Sequence, residues 1–553
     1  MRMIHGGVHN HGALPGDRGR FALLDGCLVV FLAGLAIALR GIHLSEQSVW
    51  YDEYITIRFA DAPSLIACLR EQLQWDWHMV PVYHIFEYYA YQWSSGSVMA
   101  VRGLSVLFAA GSAIVIYLLG RRLYGAWAGA VAGALFAMSP FHIFHGQEIR
   151  PYSLVTLLAM LSVYCFVRAT AGDGKRWWVL HTAANLALLW THLLAAIILA
   201  PLGLYLLLFS MRRWRRVFFW GLAHVFFLMF IAIWIHSLQG GMDSPKAPPP
   251  PFKALWGDWF HRDPVYLHWV FGSLPLDKTP EEIGSLVHRI LMVQPRYENV
   301  LAWSFAAACA ILLIGSFAQC RMAGTFLSNG RPPPSFHPAL LLLLLFSMPS
   351  AILFALTWAT RLELFQARFS AYSSPALYLM AGGFVANLGA WLFPARPGSF
   401  IAHSIRAMAA AGIVALMGVQ TVLGVGLPIR QGYLAAARTL RAEKHETEKL
   451  VAHGLYTQWL LAYNLGEPPI PAIETHGFDG LCQATDALLQ SEEPFWVALT
   501  AVPPHCPSPP DMSGLAERYA AYLTERGARF DMRRFLGMQN VHLFHVTAFR
   551  VPS

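Results

Sequence analysis

The stretch YSLVTLLAMLSVYCFVRATAGDGKRWWVLHTAANLALLWTHLLAAIILAPLGLYLLLFSMRRWRR, residues 152–216, decides the fold. It holds three apolar blocks, at 153–170, 177–191 and 193–211. The first two are parted by a basic hinge from Arg168 to Arg176, the next two by Thr191-His192, and the last ends on Arg212, Arg213, Arg215 and Arg216. Blocks of roughly 18 to 24 apolar residues have the length at which a helix crosses the hydrocarbon of a bilayer. A single helix from Trp177 to Ser210 is rejected, because it would far exceed that width and is basic at both ends.

Working outward, the pattern recurs at about 21–40, 103–120, 124–141, 217–237, 299–319, 338–360, 371–393 and 403–427, giving about eleven spans. Of the 553 residues, 56% are hydrophobic and 13% charged, about half the charged share of a soluble domain. A soluble core cannot hide that much apolar surface. With the basic N-terminus in the cytoplasm, the hinges at Arg121-Arg122, 168–176, 212–216, 321–331 and 396–406 all face inward and all carry Lys or Arg. The net charge of +8 is therefore a record of topology and not a nucleic-acid footprint.

The expected architecture is an α-helical integral membrane protein. A cytoplasmic tail, 1–20, precedes a transmembrane domain, 21–427, with large outer loops at 41–102 and 238–298. An odd span count places the remainder, 428–553, outside as a small α/β domain, with helix-like stretches at Leu434–Gly454 and Gly514–Gly527 and strand-like ones at Phe495–Val502 and Val541–Phe549. The first apolar block lacks a clear small-residue cleavage site and reads as an uncleaved anchor. Seven cysteines show no CxxC or His-Cys spacing, so neither a zinc site nor a disulfide framework is signalled. Cys165 and Cys309 read as core fillers. Whether Cys482 and Cys506 pair outside the cytoplasm is not decided by their spacing.

Chemistry gathers at the outer ends of the spans. Trp50-Tyr51-Asp52-Glu53-Tyr54 sets two adjacent acids shortly after the first span. Neighbouring residues of a helix face different sides, so the two acids have different jobs. The surrounding loop is amphipathic and aromatic, as at a headgroup surface. HMVPVYH (78–84), HGQEIRPY (145–152), Thr191-His192 and the segment from Arg361 to Arg368 also lie on the outer side. A charge near the hydrocarbon costs about 2.5–3.5 kcal/mol, so such residues pair or serve a cavity. Arg150 before Pro151 reads equally as an interfacial helix anchor, and His192 as a satisfied turn residue. Arg361 and Arg368 run against the positive-inside trend and point to an anionic partner.

In their order along the chain, WYDEY, HMVPVYH, GQEIRPYSL, THL and QARFSAYSSPAL resemble the GT-C glycosyltransferases, in the bacterial branch similar to protein O-mannosyltransferases and lipid A aminoarabinose transferases. The likeness covers roughly residues 20–440; HMVP replaces a double proline of relatives, which leaves the role of His78 open. The resemblance implies an inverting transfer of a single sugar from a polyprenyl-phosphate donor to a lipid, glycan or protein acceptor, at the outer face of a bacterial cytoplasmic membrane. It makes Asp52, or its neighbour Glu53, the catalytic acid. Arg150, Tyr152, His192 and Arg368 are then expected at the donor phosphate, and His78, Tyr83 and Glu148 at the substrate. Glu53, His78 and Glu148 are candidate ligands of a divalent Mg, Mn or Zn ion. No P-loop or strand-led GxGxxG is present, so no nucleotide cofactor is expected. The alternative is a transporter or flippase for a lipid-linked or anionic substrate. The lack of internal repeats and the one-sided polar residues favour the enzyme.

Overall fold

The computed structural model describes residues 15–75, 80–210, 214–241, 307, 310–315, 336–360, 371–425, 432–454, 457–465, 472–475, 477–501, 514–535 and 540–549. Among them six helices are long and apolar enough to cross a membrane, and seven if one bent pair counts as a span. The chain is a multi-pass membrane protein. The expected block at 299–319 falls mostly outside the described residues. The others coincide with helices, although two are interrupted.

The N-terminal helices are α1 (Pro15–Gly41), α2 (Tyr51–Ala60), α3 (Leu65–Trp75), α4 (Pro81–Trp93), α5 (Val98–Tyr124), α6 (Ala126–Met138), α7 (Pro140–Gly146), α8 (Tyr152–Ala171) and α9 (Arg176–Leu189). After a 3-10 turn at Leu193–Ile198 come α10 (Leu199–Ser210), α11 (Trp214–Gly241), α12 (Phe336–Thr360), α13 (Pro375–Leu392) and α14 (Phe400–Val425). Two compact units result. The first takes the described residues within Met1–Ile42, Phe59–Ser273 and Pro295–Val422; the second takes those within His43–Arg58 and Leu423–Ser553.

In the first unit α5, α6 and α13 approach backbone to backbone. A Cβ on Gly129 would lie 2.5 Å from Tyr117 O, and one on Gly382 would lie 2.4 Å from Ala128 O. Lipid offers no hydrophobic drive for helix association, so close packing at small residues supplies it. Ala113, Ile116, Val131, Leu135, Met160, Tyr378 and Ala381 fill the shared core.

The block expected as one span at 124–141 is instead bent by 61° between α6 and α7. Pro140 has no N–H to continue α6 and is suited to open a new helix, where the hydroxyl of Ser139 accepts from His142 N at 3.4 Å. The bend strands the last carbonyls of α6, and side chains from elsewhere take them up. Arg40 donates to Ala137 O at 3.0 Å and Phe136 O at 3.4 Å, and Thr421 to Met138 O at 2.5 Å. A cation at a helix C-terminus also matches the dipole. The stretch from Trp177 to Ser210 breaks at Trp190–His192, as its length requires.

The second unit contains a five-stranded sheet: β1 (Lys449–His453), β2 (Ala472–Thr475), β3 (Phe495–Ala501), β4 (Ala528–Phe535) and β5 (Asn540–Phe549). Their order is β2-β1-β3-β5-β4, with β1 parallel to β2 and β3, and β5 antiparallel to β3 and β4. The helices α15 (Tyr433–Glu443), α16 (Thr457–Leu465), α17 (Gly477–Leu489) and α18 (Leu515–Glu525) accompany the strands. Leu434–Gly454, expected to be helical, is helix only to Glu443 and then enters β1. That strand is central and buried at Leu450, Val451 and Ala452, so it has no polar alternation to mark it. One sheet face buries Val497, Leu499 and Phe544 under α17 and α18; the other buries Leu450, Trp496 and Leu543 with Tyr433 and Leu440 of α15.

Candidate active site

The HGQEIRPY segment joins α7 to α8 and is almost wholly buried, with Glu148 1%, Arg150 5% and Tyr152 2% exposed. Non-helical backbone at a span's end must find internal partners, and it does. Ser105 donates to Glu148 O at 2.5 Å, Gln147 donates to Arg40 O at 3.0 Å and to Ile42 O at 2.7 Å, and Ser153 donates to His145 O at 3.0 Å. Gly146 lets Arg40 pass close by, since a Cβ would lie 2.5 Å from its side chain and force it to shift. The imidazole of His145 hydrogen-bonds Glu148 Oε2 at 2.8 Å. Tyr152 puts its ring 4.9 Å from that of His145 and 6.3 Å from that of His192.

A second buried pair comes from α4. His84 Nδ1 lies 2.9 Å from Glu87 Oε2, one helical turn apart, and both side chains are enclosed. The N–H of Val82 donates to Trp190 O at 2.9 Å, which ties the start of α4 to the turn that carries His192. Burial pushes the Glu87 carboxyl up to about 7, against the opposing pull of its hydrogen bond to His84 and of the His84 and Arg150 charges. Arg150 therefore acts on Glu87 electrostatically. Glu87 Oε1, His84 Nε2 and Glu148 Oε1 find no hydrogen-bond partner among the described residues.

Residues 86–236 match the dolichyl-phosphate-mannose-protein mannosyltransferase family. The matched segment carries Glu87, the HGQEIRPY segment and His192, and agrees with the GT-C resemblance of the motifs. No curated protein matches the chain. The structure is similar to that of ArnT from Cupriavidus metallidurans bound to undecaprenyl phosphate, at 13% identity over 95% of this chain and 98% of that one, with a TM-score of 0.46. It is also similar to the Archaeoglobus fulgidus oligosaccharyltransferase tethered with an acceptor peptide, at 11% identity over 92% of this chain and 72% of that one, with a TM-score of 0.48.

Within the first unit lie Tyr83, Glu148, Arg150, Tyr152 and His192, every one of them buried. Asp52 and Glu53 open α2 in the second unit, where Glu53 is fully buried and Asp52 half-buried. The two neighbours thus sit in different environments, and both suit the positive end of a helix. His78 and Arg368 lie outside the described residues, as do Cys309 and Cys506. Cys165 is buried as expected.

Of the candidate metal ligands, Glu53 and Glu148 belong to different units. Among the described residues no three His, Cys, Asp or Glu side chains group as ligands for an ion. The site residue that sequence reasoning missed is Glu87. It sits in an aromatic run that reads as an interface belt, and its i, i+3 spacing to His84 is equally common on a solvated helix face.

Proposed function

We propose that this chain is an inverting glycosyltransferase that moves one sugar from a polyprenyl-phosphate donor to an acceptor hydroxyl on the outer face of the membrane. The observation that carries the reading is the family match over residues 86–236, whose description names a sugar linked through phosphate to a polyprenol. Within that segment Arg150 and His192 are buried polar groups of the kind an anionic headgroup would pair.

In this mechanism Asp52 removes the proton of the acceptor hydroxyl as its oxygen bonds to the anomeric carbon. The bond from that carbon to the phosphate oxygen breaks, and the phosphate leaves with the electron pair. Attack from the face opposite the phosphate inverts the carbon. Arg150, Tyr152, His192 and Arg368 offset the charge that grows on the leaving group.

The deciding experiment incubates purified protein in detergent with a radiolabelled polyprenyl-phosphate sugar and a panel of lipid, glycan and peptide acceptors. Label appearing on one acceptor class supports transfer. Binding of donor without any transfer, together with flipping of the donor in proteoliposomes, would establish the transporter instead.

A further inference from the structure

The backbone leading into Asp52 is fastened to the C-terminal α/β domain. Asn464, on α16, grips both polar groups of Val49. Its Oδ1 accepts from Val49 N–H at 2.9 Å and its Nδ2 donates to Val49 O at 3.0 Å. The same Nδ2 donates to Leu460 O at 2.7 Å, which fixes the side chain against its own helix. Beside it, the hydroxyl of Ser48 accepts from Leu434 N–H at 3.0 Å, serving one of the unsatisfied donors that open α15. On the other flank of Asp52, Tyr54 lies edge-on to Tyr463 at 5.4 Å and against Trp459 at 6.2 Å. Tyr51 and Tyr54 both pack on the core of Leu450, Leu460 and Trp496.

Resting on the reading of Asp52 as the base, we propose that Asn464 is a positioning residue for sugar transfer, through which the α/β domain sets the place and direction of Asp52. Val49 is buried, so its amide and carbonyl cannot turn to water when the clamp is removed, and the segment must shift to satisfy them. A shift of about 1 Å at a reacting group lowers turnover on the order of 100-fold. Donor binding, assigned to other residues, would not follow.

The test uses full-length protein in detergent, comparing wild type with Asn464→Ala, Asn464→Asp and Asp52→Asn. Hydrogen exchange of amides 48–55 and of β1 and β3 is read beside kcat and the KM for the polyprenyl-phosphate sugar. In Asn464→Ala, exchange is expected to rise at 48–55 with the strands still protected, and kcat to fall about 30- to 100-fold with KM within about twofold of wild type. Asn464→Asp keeps the acceptor for Val49 N–H but sets a carboxylate oxygen against Val49 O and Leu460 O, and should lower kcat at least as far as Asn464→Ala. Should Asn464→Ala also expose the strands, Asn464→Asp with an intact sheet decides. Unchanged exchange at 48–55, or a near-normal kcat while Asp52→Asn is inactive, overturns the clamp alone. Normal turnover by Asp52→Asn overturns the catalytic reading and the positioning role with it, whatever the exchange shows.

Discussion

The indole N–H of Trp220 donates to Nε2 of His181 at 3.0 Å. That contact fixes the histidine's tautomer, because Nε2 must accept and Nδ1 must carry the proton, which it gives to Ser162 O at 3.1 Å. Asn185 Nδ2 reaches His181 Nε2 at 3.1 Å and His224 Nε2 at 2.9 Å, while His224 Nδ1 donates to Trp220 O at 2.7 Å. Four polar side chains thus bind α8, α9 and α11 with both imidazoles neutral. Asn185→Ala removes the shared link and should cost about 1–2 kcal/mol, more than His224→Phe, which leaves Asn185 the bond its Oδ1 accepts from Ser162 Oγ at 2.6 Å. Thermal unfolding in detergent ranks the two; the opposite order would show that the network is not what joins these helices.

Glu87 makes stability depend on pH. Its carboxyl is raised from the ordinary 4.5 to about 7. Below 4.5 both folded and unfolded chains hold the proton, and across the window up to about 7 only the folded chain does. Stability therefore falls as pH rises through that window, by on the order of 3 kcal/mol, and levels off above it. Glu87→Gln should abolish this slope in melting curves recorded between pH 4.5 and 8.

Removing the proton acceptor should leave the donor bound. Asp52→Asn is expected to lower kcat by about 10²- to 10⁴-fold without changing retention of a polyprenyl phosphate. A kcat close to wild type would dismiss Asp52 as the base.

Arg150→Gln should raise the donor KM by roughly 30- to 100-fold, the loss of about 2–3 kcal/mol of charge-assisted bonding. It has a second, independent signature. Arg150 holds the Glu87 carboxyl down, so its loss should move the pH window of the preceding melting curves upward. A raised KM with an unmoved window would mean that Arg150 does not act on Glu87.

Gly129→Val should reduce the yield of folded protein, since its Cβ has no room against Tyr117 O. Gly26 has nothing near its Cβ position, and Gly26→Val is the matched control. Equal yields of monodisperse protein would contradict the close approach of α5 and α6.

What the sequence made legible follows the strength of each physical signal. Apolar length and basic hinges announced the spans, and a 34-residue stretch with His192 in its middle could only be two segments. The bend at Pro140 was hidden because the apolar pattern runs through it, and the side chains that take up its carbonyls, Arg40 and Thr421, are distant in the chain. β3 and β5 were visible as β-rich runs, whereas β1 was absorbed into a neighbouring helix because a strand covered on both faces does not alternate. At the site, Arg150 read equally as an interfacial anchor and His192 as a turn residue, and it took the fold to show both buried. Glu87 needed the fold, since nothing in EYYAYQW separates an enclosed carboxylate from an interfacial one.

The tie between Val49 and Asn464 joins residues 415 positions apart. During synthesis the loop with Asp52 follows the first span out of the ribosome, whereas the amide that grips it is made only after every membrane helix among the described residues. The loop therefore waits, without that clamp, until residue 464 has been made. A nascent chain halted before residue 464 would have its acid still unfixed, and maturation would come with the α/β domain.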